Sequence, residues 1–352
     1  MHGEPVVIDG SQGEGGGQIL RAALSLSVHT GRPFRLIRIR ARRSNPGLRP
    51  QHVTAVRAAA ALCNARVEGD SVGSHTLLFE PTRPPKPGSY RFDVGTAGAT
   101  TLILETILPP LAELDAPSWV SLTGGTHVPW SPVYHYVERV FLPAVRALGW
   151  DVSTTIKRWG WYPRGGGRIQ GVIRPPNPPP ERVDWVERGA LRHVWLLSAS
   201  SNLPAHIRQR QAKRAQQRLR EAGVPPDEVE VVDAPSPGVG TVVVVVGTYE
   251  RGWGGGAALG KKGKPAERVA EEAVDAFLQF HRSRGALDVH LADQVIVPLL
   301  VRGMPWRFST PHVTDHLRTV IWLSQHFVPA RMTIEEYHEE QRVIVQCLNS
   351  SS

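Results

Sequence analysis

Apolar and polar positions along the first eighty residues change period from one stretch to the next. After a run rich in glycine, Ile19, Leu20, Ala23, Leu24 and Leu26 recur at helical spacing, which predicts a helix that the glycines introduce. Residues 34–39 alternate like a strand, an arrangement that places Arg38 and Arg40 on one face. A second helix is predicted over 50–64, with Gln51 and His52 in its first turn and an alanine-rich body, followed by strands near 66–70 and 75–80. One unit therefore reads glycine loop, helix, strand, helix, two strands.

The same order recurs. A strand from Tyr90 leads into the small residues 95–101, then a helix through Leu102, Leu104, Ile107 and Leu108 that Pro109 and Pro110 end. A strand at 119–122, Gly124-Gly125-Thr126, a helix over 132–148 and strands near 151–157 and 168–173 complete the second unit. Far down the chain, His290 to Gln294 open a helix through Val295, Val297, Leu299 and Leu300. A strand at 306–309, a helix from about Thr314 and a final strand at 342–347 follow. This repetition predicts an α+β fold built from repeated modules.

Between the second and third units the texture changes. The proline-dense 175–180 breaks the pattern, and 182–280 hold a strand at 193–199, a basic helix over 205–221, a valine-rich strand at 241–246 and a loop at 252–264. The expected organisation is a large domain of residues 1–181 and 281–352, with 182–280 inserted as a small domain.

Composition narrows the class. At 352 residues and 41% hydrophobic the chain can bury a large core and is expected to form two or three units. A net charge of +9 suggests a polyanionic partner such as nucleic acid, although arginine richness also arises from a biased genome. Arg208, Arg210, Lys213, Arg214, Arg218 and Arg220 on the basic helix form either a solvated face or an RNA contact. Cys63 and Cys347 indicate neither a disulfide framework nor a zinc site. With no secretory pattern and no apolar run of about 20 residues, a soluble cytoplasmic protein is expected.

The strongest chemical signal is Asp-Gly-Ser-Gln-Gly-Glu-Gly-Gly-Gly-Gln-Ile-Leu-Arg at 9–21. Its glycines permit positive φ and close approach of the backbone to a bound group. At a helix N-terminus they suit an anion, and the bland alternative is a tight turn with no ligand. Arg21 lies one turn into the helix, and Glu14 either holds a divalent cation beside phosphates or faces solvent. A second phosphate-loop match, Gly255 to Lys261, has Lys262 where a Ser or Thr should hold magnesium, and reads as a decoy.

The Gln-Gly-Glu-Gly-Gly-Gly-Gln-Ile-Leu-Arg of 12–21 occurs in order with Arg-Ser-Asn-Pro-Gly-Leu-Arg-Pro-Gln-His at 43–52, Gly-Thr-Ala-Gly at 95–98, Gly-Gly-Thr at 124–126, Leu-Ala-Asp-Gln at 291–294, and His316. Together they resemble the RNA 3′-terminal phosphate cyclases over nearly the whole chain. The resemblance implies three βαβαββ-type modules, with a smaller α+β domain of thioredoxin-like type inserted in the third. It also implies use of ATP and Mg²⁺ or Mn²⁺ to convert an RNA 3′-terminal phosphate into a 2′,3′-cyclic phosphodiester through a histidine–AMP intermediate.

Carried onto this chain, the resemblance makes His316 the nucleophile, with His312 the neighbour most easily confused with it, and makes Asp293 its assistant. Glu14 would hold metal. Gln18, Arg21, Arg40, Arg43, Gln51 and His52 would lie near RNA phosphates, while Arg38 and Arg42 would sit on solvated surface. Glu105, Pro132, His290, Leu291, Ala292, Asp293 and Gln294 would contact ATP, with Pro132 packed on adenine. Two positions depart from the family pattern: Glu105 stands where Gln is expected, and His290 where Tyr often stacks on adenine. Glu105 then either alters the nucleotide contact, is protonated, or turns away. Two other classes fit parts of the pattern. A non-catalytic cyclase-like factor that binds RNA in ribosome assembly is expected to lack the histidine, and an enolpyruvyl transferase needs neither it nor a basic surplus.

Overall fold

A computed structural model describes residues 4–337, 340 and 342–348 of the chain. The first module comprises β1 (Val6–Asp9), α1 (Gly17–Thr30), β2 (Phe34–Ile37), α2 (Pro50–Cys63), β3 (Arg66–Glu68) and β4 (Leu77–Glu80). Its strand order is β1-β2-β4-β3, with only the β1–β2 pair parallel. A parallel pair needs a crossover, and α1 supplies it.

The second module repeats this plan. It contains β5 (Ser89–Asp93), α3 (Thr100–Leu111), β6 (Ser118–Gly124), α4 (Tyr134–Tyr136), α5 (Leu142–Ala147), β7 (Asp151–Arg158) and β8 (Gly167–Arg174), in the order β5-β6-β8-β7. A π-helical turn, Val137–Phe141, joins α4 to α5. The expected end of α3 at its prolines is corrected. Pro109 and Pro110 occupy the last turn, where they cost bonds only to the carbonyls of Glu105 and Thr106, and the Ala112 N–H still reaches Leu108 O.

The third module starts with β9 (Val183–Trp185) and is then interrupted by β10 (Leu191–Ser201), α6 (Ala205–Glu221), β11 (Glu228–Asp233), β12 (Gly240–Tyr249), β13 (Gly252–Leu259) and α7 (Ala266–Arg282). It resumes with α8 (Val289–Gln294), α9 (Ile296–Arg302), β14 (Trp306–Thr310), α10 (Asp315–Ser324), β15 (Arg331–Tyr337) and β16 (Arg342–Leu348). The sheet order β9-β14-β16-β15 matches the other two modules, and β9–β14 is again the parallel pair. Although β9 falls inside 182–280, it is thus the first strand of the third sheet. The interruption sits where the other modules carry their glycine loops.

Helices α1, α2, α3, α9 and α10 pack on one another. Leu20, Leu24, Leu104, Ile107, Leu299 and Val320 join one continuous core there. The interrupting segment forms its own sheet, β11-β10-β12-β13. Val194, Leu196, Val243 and Val245 on one face pack with Ala273 and Phe277 of α7, whereas Trp195, Leu197, Val242 and Val244 on the other join the main core. Burial on both faces explains why β12 reads as an unbroken valine run.

One expectation for this segment is corrected. Residues 252–259 form a strand and not a loop, paired along its length with β12. Its glycines make room for a helix, since a Cβ on Gly254 would strike the Phe280 ring and one on Gly256 the Ala273 carbonyl. The decoy phosphate motif is therefore sheet as far as Leu259. On the basic helix, Arg210 donates two bonds of 2.8 Å to Glu267, Arg214 pairs with Glu271 at 2.7 Å, Arg218 pairs with Asp275, and Arg208 with Asp233 at 3.1 Å. Arg208, Arg210, Arg214 and Arg218 are thus paired to α7 and β11, while Lys213 and Arg220 are exposed, so the helix presents a solvated face whose charge is largely balanced within the protein.

Candidate active site

The loop from Asp9 to α1 folds through Gly13 and Gly15, both left-handed at φ 55° and 59°. It is pressed between two helices. A Cβ on Gly13 would collide with Thr319 Oγ1 of α10, and one on Gly17 would lie 2.5 Å from His52 Nε2 and 2.9 Å from Arg21 Nη1. No side chain caps α1 and no acid lies in its first turn, so its N-terminal N–H groups and dipole stay available to an anion.

This contact brings Glu14 to His316. The His316 Nε2 lies 3.0 Å from Glu14 Oε2, which also accepts a 2.8 Å bond from Arg43 Nη2. On the other side of the ring, Nδ1 lies 3.6 Å from Asp293 Oδ2, an ion-pair distance longer than a hydrogen bond. The His316 and Glu14 side chains are 42% and 43% exposed while Asp293 is 12% exposed, so the imidazole has an open side and a closed side. His316 sits in the first turn of α10, whose N-cap Thr314 accepts from the Leu317 N–H at 3.0 Å. His312 is exposed in the preceding loop and shares none of these partners among the described residues.

Charge in the site is unevenly held. Asp293 first, then Glu14, raise the His316 pKa above its ordinary value. Burial raises Asp293, against the pull of His316. Partial burial acts upward on Glu14, but His316 and Arg43 outweigh it and leave the carboxyl below its usual range. Glu105 is pushed up to about 8 by burial, although Arg21 opposes the shift, so it is protonated at neutral pH and its O–H can donate as an amide would. It also accepts a 3.1 Å bond from Gln294 Nε2. Of the readings open for this position, protonation is the one its surroundings favour.

The other expected site residues fall into two groups. Arg21 faces Glu105 and Asp293, and His290 is exposed one turn before them. Gln18 Oε1 and Gln294 Oε1 are buried with no partner among the described residues, two acceptors that a bound molecule with hydroxyl or amino donors would satisfy. The second group makes contacts within the protein. Arg40, also left-handed, holds the 45–47 turn through bonds of 2.7 and 3.1 Å to Asn45 O and Gly47 O. Gln51 Oε1 accepts from the Ala99 N–H at 3.1 Å and so fixes the second glycine loop. His52, pushed down to about 3 by burial and by Arg21, Arg40 and Arg49, is neutral and accepts the Arg49 N–H at 3.0 Å. Pro132 O takes the Thr101 hydroxyl at 2.8 Å, one turn from Glu105 on α3.

Some placements need correction. Leu291 and Ala292 are fully buried, and their N–H groups are spent on Asp288, so they serve as the helical turn between His290 and Asp293 and present no side chain to a ligand. β2 stops at Ile37, and Arg38 and Arg40 take φ of 52° and 53°, so the two arginines do not share a strand face. Arg38 pairs with Asp9 and exposed Arg42 donates to Gly13 O at 3.2 Å.

Sequence reasoning missed Asp288. Buried at the N-cap of α8, it accepts from the N–H groups of His290 and Leu291, the Tyr136 hydroxyl and the Gly255 N–H at 2.7–2.9 Å. An Asp just before a helix was the available signal. Trp130, 93% exposed with φ 61° two residues before Pro132, carried no such signal.

Among the described residues no cluster of three or more His, Cys, Asp or Glu side chains could hold a metal alone. A single accessible carboxylate, Glu14, fits an ion that takes its other ligands from phosphates and water.

Residues 12–334 match the family described as RNA 3′-terminal phosphate cyclase. Relatives named RNA 3′-terminal phosphate cyclase include those of Gloeothece citriformis, 45% identical over 93% of this chain and 95% of the relative, and Methylococcus capsulatus, 46% identical over 93% and 92%. That of Staphylothermus marinus is 42% identical over 93% of both chains.

Proposed function

We propose that this chain, which belongs to the RNA 3′-terminal phosphate cyclase family, uses ATP to convert an RNA 3′-terminal phosphate into a 2′,3′-cyclic phosphodiester, with His316 as the group that carries AMP. The observation that supports the reading is the placement of the His316 ring between Asp293 and Glu14 at the mouth of the glycine loop.

A terminal phosphate resists attack by the neighbouring 2′-hydroxyl because oxide is a poor leaving group, and capping it with AMP supplies a better one. In the first step His316 Nε2 attacks the α-phosphorus of ATP, forming an N–P bond while pyrophosphate departs. Asp293 keeps the ring proton on Nδ1, which leaves the Nε2 lone pair to react. An RNA 3′-phosphate oxygen then attacks the same phosphorus and His316 leaves. Finally the 2′-hydroxyl attacks the terminal phosphorus, and AMP departs as the ring closes. Arg21 and Arg43 offset phosphate charge at the N-terminus of α1. Glu14 would hold Mg²⁺ or Mn²⁺, whose role when bound is to neutralise the nucleotide phosphates. Gln294, protonated Glu105, Pro132 and His290 form the nucleotide side. A DNA 3′-phosphate is activated at most, since it lacks the attacking hydroxyl.

Incubation with α-phosphate-labelled ATP and either metal, without RNA, tests the reading. Acid-labile, alkali-stable label is expected on the native chain and on His312→Ala, and none on His316→Ala. Absence of label from folded native protein would favour a non-catalytic RNA-binding role.

A further inference from the structure

Resting on that cyclase reading, we propose that the RNA strand leading to the terminal phosphate lies across the 159–167 loop and the outer face of the second sheet, with Tyr162 and Trp119 stacking bases and Arg91, Lys157, Arg164 and Arg168 meeting phosphates. Tyr162 is 62% and Trp119 50% exposed, and neither side chain has a packing reason to face water.

The face is set by register. Trp119 lies opposite Val172 and Val172 opposite Ser153; in the next row Arg91, Ser121, Gln170 and Thr155 follow one another across the strands; Thr123 and Arg168 pair beyond them. Rows are spaced about 6.6 Å apart along the strands, so they form a continuous path from Trp119 to Arg168. A groove of about 410 Å³ runs between Trp119, Arg91, Lys157 and Gln170. At its far end Gly165 seats the 159–167 loop on the second glycine turn, where a Cβ would fall 2.6 Å from Thr96 O and 2.8 Å from Ala97 Cα. That turn rests in its turn on Gln51, whose neighbour His52 touches the place where Gly17 meets Arg21. The path therefore leads to the phosphate-binding end of α1.

Charge decides the occupant. Among the described residues Arg91, Lys157, Arg164 and Arg168 enter no ion pair, Arg164 donating to the neutral Pro237 O at 2.6 Å, whereas Arg210, Arg214 and Arg218 of α6 are neutralised by α7. Of the face's own carboxylates Asp151 pairs with Arg174 at 3.2 Å, and Asp93, which accepts the Gly95 N–H at 2.8 Å, leaves one negative charge against the four cations. Unpaired cations interleaved with exposed rings and hydroxyls match a single-stranded polyanion with stackable bases.

The test compares native protein with Tyr162→Ala/Arg164→Ala and Trp119→Ala/Lys157→Ala, using a 3′-phosphorylated RNA of about 20 nucleotides and a 3′-phosphorylated dinucleotide. The expected result is a KM for the long RNA raised about tenfold, with the dinucleotide KM unchanged. The slope of log affinity for the long RNA against log salt should also fall by about 0.7 for each cation removed. An unchanged long-RNA KM in both variants, or equal losses on both substrates, would overturn the proposal. A fall in the native protein's solution mass on substitution would assign the face instead to a second copy. Labelling by ATP alone uses no RNA, so its failure would strike the cyclase reading, and direct anisotropy of the long RNA would still decide the surface.

Discussion

The carboxylate of Glu14 lies 3.0 Å from Nε2 of His316, the nitrogen we propose attacks phosphorus. With Asp293 beside Nδ1 and Glu14 beside Nε2, the His316 pKa is held above the ordinary histidine value in the free protein. Because the folded pKa is raised, the stability this charge contributes is present below about 6.5 and is lost as pH rises through the folded value. Labelling by ATP should therefore increase with pH, with an inflection above 6.5. Titration of the ring by NMR should show a higher value than a free histidine, and Asp293→Asn should lower it, as should Glu14→Gln. A midpoint indifferent to both substitutions would contradict the arrangement.

Glu105 gives the opposite kind of pH test. Its folded value of about 8 exceeds the ordinary 4.5, so the protein loses stability as pH rises between those values. Glu105→Gln reproduces the neutral form and should remove that loss. Thermal unfolding should show the variant matching native protein near pH 4 and exceeding it at pH 9, by an amount on the order of 2 kcal/mol. A native-like pH profile in the variant would place the titration elsewhere.

At Gly17 a methyl group would meet His52 Nε2 at 2.5 Å and Arg21 Nη1 at 2.9 Å. Gly17→Ala should displace both side chains and raise the KM for RNA about tenfold, equivalent to about 1.4 kcal/mol of lost transition-state binding. The melting temperature should move little by comparison. Native kinetics in this variant would show that Arg21 does not meet the substrate.

Asp288 joins three parts of the fold: Gly255 of β13, Tyr136 of α4 and the first turn of α8. Asp288→Ala leaves several buried donors unpaired and should cost about 3 kcal/mol in denaturant unfolding. Since α8 carries Asp293, the labelling rate should fall as well. Asp288→Asn, which keeps an acceptor, should recover part of the rate.

The arginines of α6 should prove silent toward RNA. Arg210→Ala removes a solvent-exposed pair to Glu267 and should leave RNA affinity and its salt dependence unchanged. Weakened RNA binding in that variant would restore the helix as a contact.

How far residues alone carried this reading depended on whether neighbours in sequence or in space decided the outcome. The α1 helix, the valine run of β12 and the start of α10 follow local period and capping, and each was legible. Residues 252–259 were not, because glycine usually breaks a strand and here admits α7. The pairing of the basic run on α6 was hidden for a similar reason, since the acidic partners of Arg210, Arg214 and Arg218 lie 57 residues away. In the site, motif order marked His316 and Asp293, but only packing against burying helices could turn Glu105 into a neutral donor. Arg91 and Lys157 share one sheet face by strand pairing, a relation that no local pattern encodes.

The placement of β9 ahead of the interruption bears on how the chain is made. A strand of three residues cannot persist unpaired, and Asp184 waits for Arg307, 123 positions later in synthesis. The interrupting unit, with its own small core, can be complete while the third sheet has a single strand. Loop closure across such a span is slow, which makes the third module the last to assemble from a nascent chain. His316 belongs to that module, so the proposed nucleophile comes together with Glu14 and Asp293 only when the molecule is whole. A truncated or stalled chain would carry the glycine loop and its arginines without the histidine they surround, and a half-made product could grip a phosphate but not adenylylate.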